Sequence, residues 1–277
     1  ESFCSTRPLA AVIGSPIAHS LSPVLHRAAY QQLGLHDWEY DAIEVTPDTL
    51  GEFIASRDNS WAGLSVTAPL KEALIEFGRP DQQSSELQSA NTLIFGHPNR
   101  LFNTDVTGLR DAMASYDVIM PGTAVIMGAG ATARSAISTL VRLGCRVIRV
   151  VARDAGRAHA SLDRVAALYG TDLQIVDWSG FDALGADSAD VLISTAPVQY
   201  TPEEAAQLAA VSQVVFDIVY QNYPTNLSRA AIKAGRVSVD GVDLLVHQAI
   251  DQVRLMTGEE PLAEPLIEVC RAELAKR

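Results

Sequence analysis

One stretch constrains this chain more than any other: Thr123-Ala124-Val125-Ile126-Met127-Gly128-Ala129-Gly130-Ala131-Thr132-Ala133. Ala124 to Met127 is a short apolar run of the kind that forms a buried strand. It breaks at two glycines, and a helical pattern then runs through Leu140 to Leu143. Strand, glycine turn and helix in that order bring backbone N–H groups and a helix N-terminus to one point, where a pyrophosphate can be held. The spacing is G-x-G-x-x-A, and the third position needs only a small residue for close helix–strand packing. The competing reading is a tight structural turn with no ligand. The flanking strand and helix favour a dinucleotide on Gly128, Ala129, Gly130, Ala131, Thr132 and Ala133.

Around this stretch the pattern is strands alternating with helices, which is α/β with parallel sheets. Before it, strands are predicted at Leu9–Ile13, Trp38–Ile43 and Ala62–Val66, with short ones at Ala90–Phe95 and Arg100–Asn103. Ser22-Pro23 and Thr46-Pro47 read as helix caps followed by proline at the first helical position. Pro69 predicts a helix running to about Phe77, and Asp105 predicts a cap for a helix through Ser115. Pro121-Gly122 marks a break. After it, strands are predicted at Ala124–Met127, Val147–Ala152, Leu173–Val176, Val191–Ser194, Val214–Asp217 and Val237–Val239. Helices are expected between most of these, near 131–143, 156–169, 202–209 and 226–234. This second unit reads as a doubly wound dinucleotide fold. Two more helical patterns, 243–257 and 265–276, carry more apolar surface than that unit needs. They are expected to return to the first unit.

Composition excludes several classes. The 277 residues carry a net charge of −12 and a pI near 4.9, against general nucleic-acid binding. Three widely spaced cysteines, Cys4, Cys145 and Cys270, form neither a disulfide framework nor a zinc site, so no metal is expected. No apolar run approaches the roughly 18 residues of a membrane span, and the opening residues lack a basic region followed by a long apolar stretch. The expectation is a cytoplasmic protein with no membrane attachment. Against the acidic background, the segment from Ala124 to Arg164 holds seven arginines and two acids. Most of these arginines read as solvated helix faces.

Several local groupings carry chemistry, each beside a plainer reading. Ser20 and Ser22, two apart at a helix start, offer hydroxyls and N–H groups to a carboxylate, or they simply form a turn and a cap. Lys71 is placed by Pro69 in the first turn of a helix, where the dipole disfavours a cation. That field would lower its pKa and bring it nearer to acid–base use; an exposed lysine is the alternative. Asn91 enters a strand and Asp105 follows another, positions common to turn formers and caps. Gln248 lies on a mostly apolar helix face with Leu244 and Leu245, as an edge residue or a ligand donor.

Together these pieces resemble the shikimate dehydrogenase family. The resemblance runs in order along almost the whole chain: Ile13 to Pro23, Val66 to Lys71, Ala90 to Thr92, Asn103 to Asp105, Gly128 to Gly130, and Gly241 to Gln248. It implies NADP as cofactor, reversible reduction of 3-dehydroshikimate to shikimate in aromatic biosynthesis, and Lys71 with Asp105 as the catalytic pair. Ser20 and Ser22 are implied to hold the substrate carboxylate, and Thr67, Asn91, Tyr220 and Gln248 the rest of the substrate. Arg153, Asp154, Arg157, Thr195, Ile218 and Gly241 are implied to complete the cofactor contacts. The implied organisation is two domains: an α/β substrate domain of residues 1–105 completed by 242–277, and a Rossmann-type NADP-binding domain of 106–241. The expected partner is a small-molecule substrate, with no nucleic acid, and the expected state is a monomer or homodimer.

Two departures stand out. The family often has asparagine where this chain has Ser65. Its phosphate-reading Asn-Arg-Thr or Asn-Arg-Ser is here Ala152-Arg153-Asp154, followed by Arg157. Arg153 and Arg157 suit a 2′-phosphate, and no acid stands at Ala152, where an NAD enzyme would hold its ribose. Asp154 is discordant, either repelling the phosphate or contacting the ribose. The alternatives are an NAD-linked quinate/shikimate dehydrogenase and a non-catalytic NADP-binding regulator of the same fold.

Overall fold

The computed structural model describes residues 7–179 and 184–277; Cys4 and the opening residues 1–6 lie outside them. The chain divides into two compact units, one of the residues through Thr104 with Val246–Arg277, the other Asp105–Leu245. The joins differ from the expected 105/106 and 241/242 because Asp105 belongs to the helix it opens, and the first turn of the penultimate helix stays with the second unit.

In the first unit the order is β1 (Leu9–Gly14), α1 (Ser22–Gln32), β2 (Glu39–Glu44), α2 (Leu50–Ala55), β3 (Trp61–Val66), a 3-10 helix (Ala73–Phe77), β4 (Arg79–Pro80), α3 (Gln82–Leu87), β5 (Thr92–Ile94) and β6 (Arg100–Phe102). Its sheet runs β2-β1-β3-β5-β6-β4. β1 pairs in parallel with β2 and β3, whereas β5 is antiparallel to β3 and β6, so this sheet is mixed. Ile13, Leu64, Leu70, Leu74, Leu93 and Leu101 fill its core. The unit also receives most of α9 (Gly241–Thr257) and all of α10 (Ala263–Leu274). α10 packs on α1, and Arg277 donates to the His19 carbonyl at 2.8 Å.

The second unit holds α4 (Asp105–Ala114), β7 (Thr123–Met127), α5 (Ala131–Arg142), β8 (Val147–Ala152), α6 (Ala155–Tyr169), β9 (Leu173–Asp177), β10 (Ala189–Ser194), α7 (Pro202–Val211), β11 (Ser212–Asp217), α8 (Asn226–Lys233) and β12 (Val237–Asp240). All six strands are parallel, ordered β12-β11-β10-β7-β8-β9. Numbered from β7, this is the 3-2-1-4-5-6 arrangement of doubly wound sheets, with the reversal between β7 and β10. Its strands are Val- and Ile-rich because helices cover both faces of a parallel sheet. α7 starts with a full capping box, Thr201 and Glu204 bonding each other's backbone, with Pro202 following the cap.

Three predicted helix starts move. α1 begins at Ser22 itself, with Leu21 as the cap: the Leu21 carbonyl accepts the first helical bond, from Leu25 N–H at 3.0 Å. Ser22 is therefore not the cap, and Ser20 Oγ accepts from Ser22 N–H at 3.2 Å instead. α2 begins at Leu50, because Thr46 to Thr49 closes a turn of its own. No α-helix follows Pro69. The Lys71 carbonyl accepts from Ala90 N–H at 2.9 Å, and Ile75 N–H turns to Glu72 at 3.3 Å, so only the short 3-10 helix forms. The dipole argument for Lys71 thus loses its helix. Asp105 is likewise the first residue of α4 rather than its cap.

Candidate active site

The cofactor-type residues collect at the C-terminal edge of the second sheet. Register pairs Met127 with Val151 and Ser194, and Ala152 with Asp177, so the residues just after these strands share that edge. Gly128 has φ +104°, and a Cβ there would stand 2.8 Å from Thr195 Oγ1. This position needs glycine both for its backbone and for space. Thr195 is pinned by two bonds to the Met127 carbonyl, from its N–H at 2.8 Å and its hydroxyl at 2.9 Å. Gly130 caps α5 and has nothing within 4 Å of an added Cβ. No acid occupies the first turn of Ala131, Thr132 and Ala133. An open helix start free of negative charge, reached over a glycine turn, fits a pyrophosphate.

Arg153, Asp154 and Arg157 are all exposed just beyond β8. Asp154 Oδ1 accepts from Arg157 N–H at 3.0 Å, so Asp154 is the N-cap of α6. Arg153 and Arg157 stand on either side of this capping carboxylate in sequence. Arg153 Cζ lies 5.2 Å from the Trp178 ring centre, and Trp178 in turn stacks on Tyr200. Trp178 was not among the residues singled out by sequence.

At the other side of the switch point, Ile218 N–H donates to Ser194 at 3.1 Å. A Cβ on Gly241 would fall 2.3 Å from the Ile218 carbonyl oxygen, so this glycine permits backbone-to-backbone contact between α9 and the end of β11. Asp240 and Asp243 cap that helix start reciprocally: Asp240 Oδ1 accepts from Val242 and Asp243 N–H, and Asp243 Oδ2 accepts from Asp240 N–H. Tyr220, half-buried, follows β11 in the loop. Asp217, the last residue of β11, has its carboxyl pKa pushed up by burial and accepts from the Thr225 hydroxyl at 2.6 Å.

Of the substrate-type residues of the first unit, Asn91 and Gln248 are brought together, by the start of β5 and by α9. A Cβ on Gly14 would stand 2.4 Å from Thr67 Cγ2, so the ends of β1 and β3 touch closely there. Asn91 and Gln248 are buried and meet, Nδ2 donating to Oε1 at 3.4 Å. Asn91 Oδ1 also accepts from Thr104 N–H at 2.8 Å. Behind them lie buried polar groups without local sequence signals: Tyr40 donates to Ser65 at 2.6 Å, and Ser65 donates to Gln252 at 2.8 Å. His26 stacks on Tyr40 with ring centres 3.9 Å apart, and burial draws its pKa down to about 3 against the opposing pull of Gln252. Ser20, Thr67 and Lys71 are partly exposed in this unit, and Asp105 is buried at the start of the other. Among the described residues no His, Cys, Asp and Glu cluster could hold a metal, and no helix is long and apolar enough to cross a membrane.

A glycine turn at the strand-order reversal of a six-stranded parallel sheet, joined to a mixed-sheet α/β unit, defines a two-unit Rossmann-type protein. Residues 12–93 match the family model of the shikimate dehydrogenase substrate binding domain. A shikimate dehydrogenase (NADP(+)) of Methanosarcina barkeri is 35% identical over 265 residues, covering 91% of this chain and 94% of that protein. The crystal structure of Mycobacterium tuberculosis shikimate dehydrogenase superposes with a TM-score of 0.85 at 35% identity, covering 98% of this chain and all of that one. A Thermus thermophilus shikimate 5-dehydrogenase in complex with NADP(H) and shikimate gives 0.82 at 26% identity, covering 96% and 99%. The chain belongs to the shikimate dehydrogenase family.

Proposed function

We propose that this protein is an NADP-dependent shikimate dehydrogenase, reducing 3-dehydroshikimate to shikimate reversibly in chorismate biosynthesis. The observation that carries the cofactor choice is the corner after β8: two exposed arginines, with the acid between them in sequence, Asp154, engaged as a helix cap. Guanidinium groups suit a 2′-phosphate dianion. Relatives named as NADP(+) enzymes support the same choice. Bound NADPH supplies the hydride for the ring ketone.

The chain's own residues supply the remainder. Gly128 to Ala133 would receive the pyrophosphate, Arg153 and Arg157 the 2′-phosphate, and Thr195, Ile218 and Gly241 would border the nicotinamide end. Asp154 orders the helix that carries Arg157. Ser20 and Ser22 would hold the substrate carboxylate; Thr67, Asn91, Tyr220 and Gln248 would fix the ring hydroxyls. As the carbonyl oxygen gains charge it needs a proton. Lys71 Nζ gives it in the forward direction and takes it back in the reverse. Asp105 would accept a hydrogen bond from the reacting hydroxyl and from the Lys71 ammonium, fixing both. A cytoplasmic monomer or homodimer, acting without nucleic acid, goes with this reading.

The test is the appearance of reduced-cofactor absorbance when purified protein is mixed with shikimate and NADP+. A protein that binds NADP+ yet shows no turnover would instead be a non-catalytic regulator.

A further inference from the structure

Under the substrate-type residues runs a buried chain of hydrogen bonds with a single direction. Two backbone groups set that direction, because a backbone N–H only donates and a backbone carbonyl only accepts. Thr104 N–H lies 2.8 Å from Asn91 Oδ1, so the oxygen end of the Asn91 amide faces it. Gln252 Nε2 lies 3.1 Å from the Asn91 backbone carbonyl, so the nitrogen end of the Gln252 amide faces β5. The hydroxyls between are then determined. Gln252 Oε1 must accept from Ser65 at 2.8 Å, and Ser65 must accept from Tyr40 at 2.6 Å. Gln252 Nε2 also donates to Thr92 Oγ1 at 3.0 Å, and Thr92 passes its own hydrogen to Asn91 Oδ1 at 3.0 Å. Asn91 Nδ2 donates onward to Thr104 Oγ1 at 3.0 Å and toward Gln248 Oε1 at 3.4 Å. Every member of the chain is buried, so the Asn91 amide cannot turn over without setting a donor against the Thr104 N–H, nor the Gln252 amide without setting an acceptor against the Asn91 carbonyl.

We infer that Tyr40, Ser65, Gln252 and Thr92 are positioning residues that fix the Asn91 and Gln248 amides in one orientation, and through it the pattern of donors offered to the substrate's ring hydroxyls. Gln248 Oε1 is the end turned to Asn91 and Thr104. The short Ser65 side chain fits because Gln252 reaches it from α9, so the two residues act as a matched pair. This inference rests on the reading of Asn91 and Gln248 as substrate contacts.

Thr92→Val is the sharpest probe, since it removes the relaying hydroxyl at nearly constant shape, and Thr92→Ser keeps it. Kinetics with shikimate and NADP+ should show KM for shikimate about five- to tenfold higher in Thr92→Val. In the same variant kcat and KM for NADP+ should stay within about twofold of the unaltered chain, and Thr92→Ser should restore KM. A purely structural role would lower the melting temperature and the active fraction, and leave KM alone. Ser65→Ala, paired with Ser65→Thr, interrupts the same chain one link earlier and serves if Thr92→Val does not fold. Asn91→Ala, run alongside, separates the levels. Raised KM in Asn91→Ala with unchanged KM in Thr92→Val overturns the inference alone, as does a Thr92→Ser variant as impaired as Thr92→Val. Unchanged KM in Asn91→Ala, or no shikimate turnover by the unaltered chain, overturns the site reading and this inference with it.

Discussion

Lys71 is placed by bonds that lie far apart in sequence: its carbonyl is held by Ala90 N–H, and Ala90 leads into β5 through Asn91. A lysine whose backbone is anchored to the segment carrying Asn91 is suited to proton transfer at a fixed point. Lys71→Ala should lower kcat by on the order of 10²–10⁴-fold with KM little changed, as expected for loss of a general acid; steady-state kinetics check this, and near-normal kcat would remove Lys71 from the chemistry. His26 gives a second residue-level prediction, on stability. Its folded pKa, about 3, lies below the ordinary 6.5 because of burial between α1 and the Tyr40 ring. Between those values the unfolded chain binds a proton that the folded chain refuses. Stability is therefore lost as pH falls from about 6.5 toward about 3, at up to ~1.4 kcal/mol per pH unit from this group. His26→Phe keeps a stacking ring and cannot titrate. Its urea midpoint should fall less than that of the unaltered chain between pH 7 and pH 5; parallel declines would contradict this.

At the scale of elements, glycine positions separate folding from binding. Gly128 cannot accept a side chain in its backbone conformation or its space, whereas Gly130 can accept both. Gly130→Ala should melt near the unaltered temperature but bind NADP+ at least tenfold more weakly, because the added methyl stands where backbone approaches a pyrophosphate. Calorimetric titration with a melting curve checks both halves. The strands of the second unit were legible because buried parallel strands write themselves as continuous Val/Ile runs between glycines and caps. The first unit was harder. β4 and α3 are short and polar, with Asp81 as a cap inside a run of glutamines and serines. Pro69 is equally at home in a turn, and what prevents a helix after it is the bond that the Lys71 carbonyl accepts from a residue 19 positions beyond Lys71, Ala90. The cap bond of Asp154 runs to Arg157, three positions on, and is a local pattern that any capping aspartate would share. Tyr40, Ser65 and Gln252 come from β2, β3 and α9, so no local window contains their relation.

For the whole molecule, the prediction concerns the pairing of a substrate with a cofactor. The family's fold covers 98% of the chain, and the family alone does not choose between NADP and NAD or between shikimate and a more hydroxylated acid such as quinate. Arg153→Ala should raise KM for NADP+ and leave KM for NAD+ nearly unchanged, narrowing the gap between them; equal effects on both would place Arg153 outside the 2′-phosphate contact. The most direct measurement is the initial rate of cofactor reduction by the unaltered protein in four combinations, shikimate or quinate with NADP+ or NAD+. Shikimate with NADP+ should give the highest kcat/KM of the four. A higher value with NAD+, or with quinate, would contradict the assignment of this chain as an NADP-linked shikimate dehydrogenase.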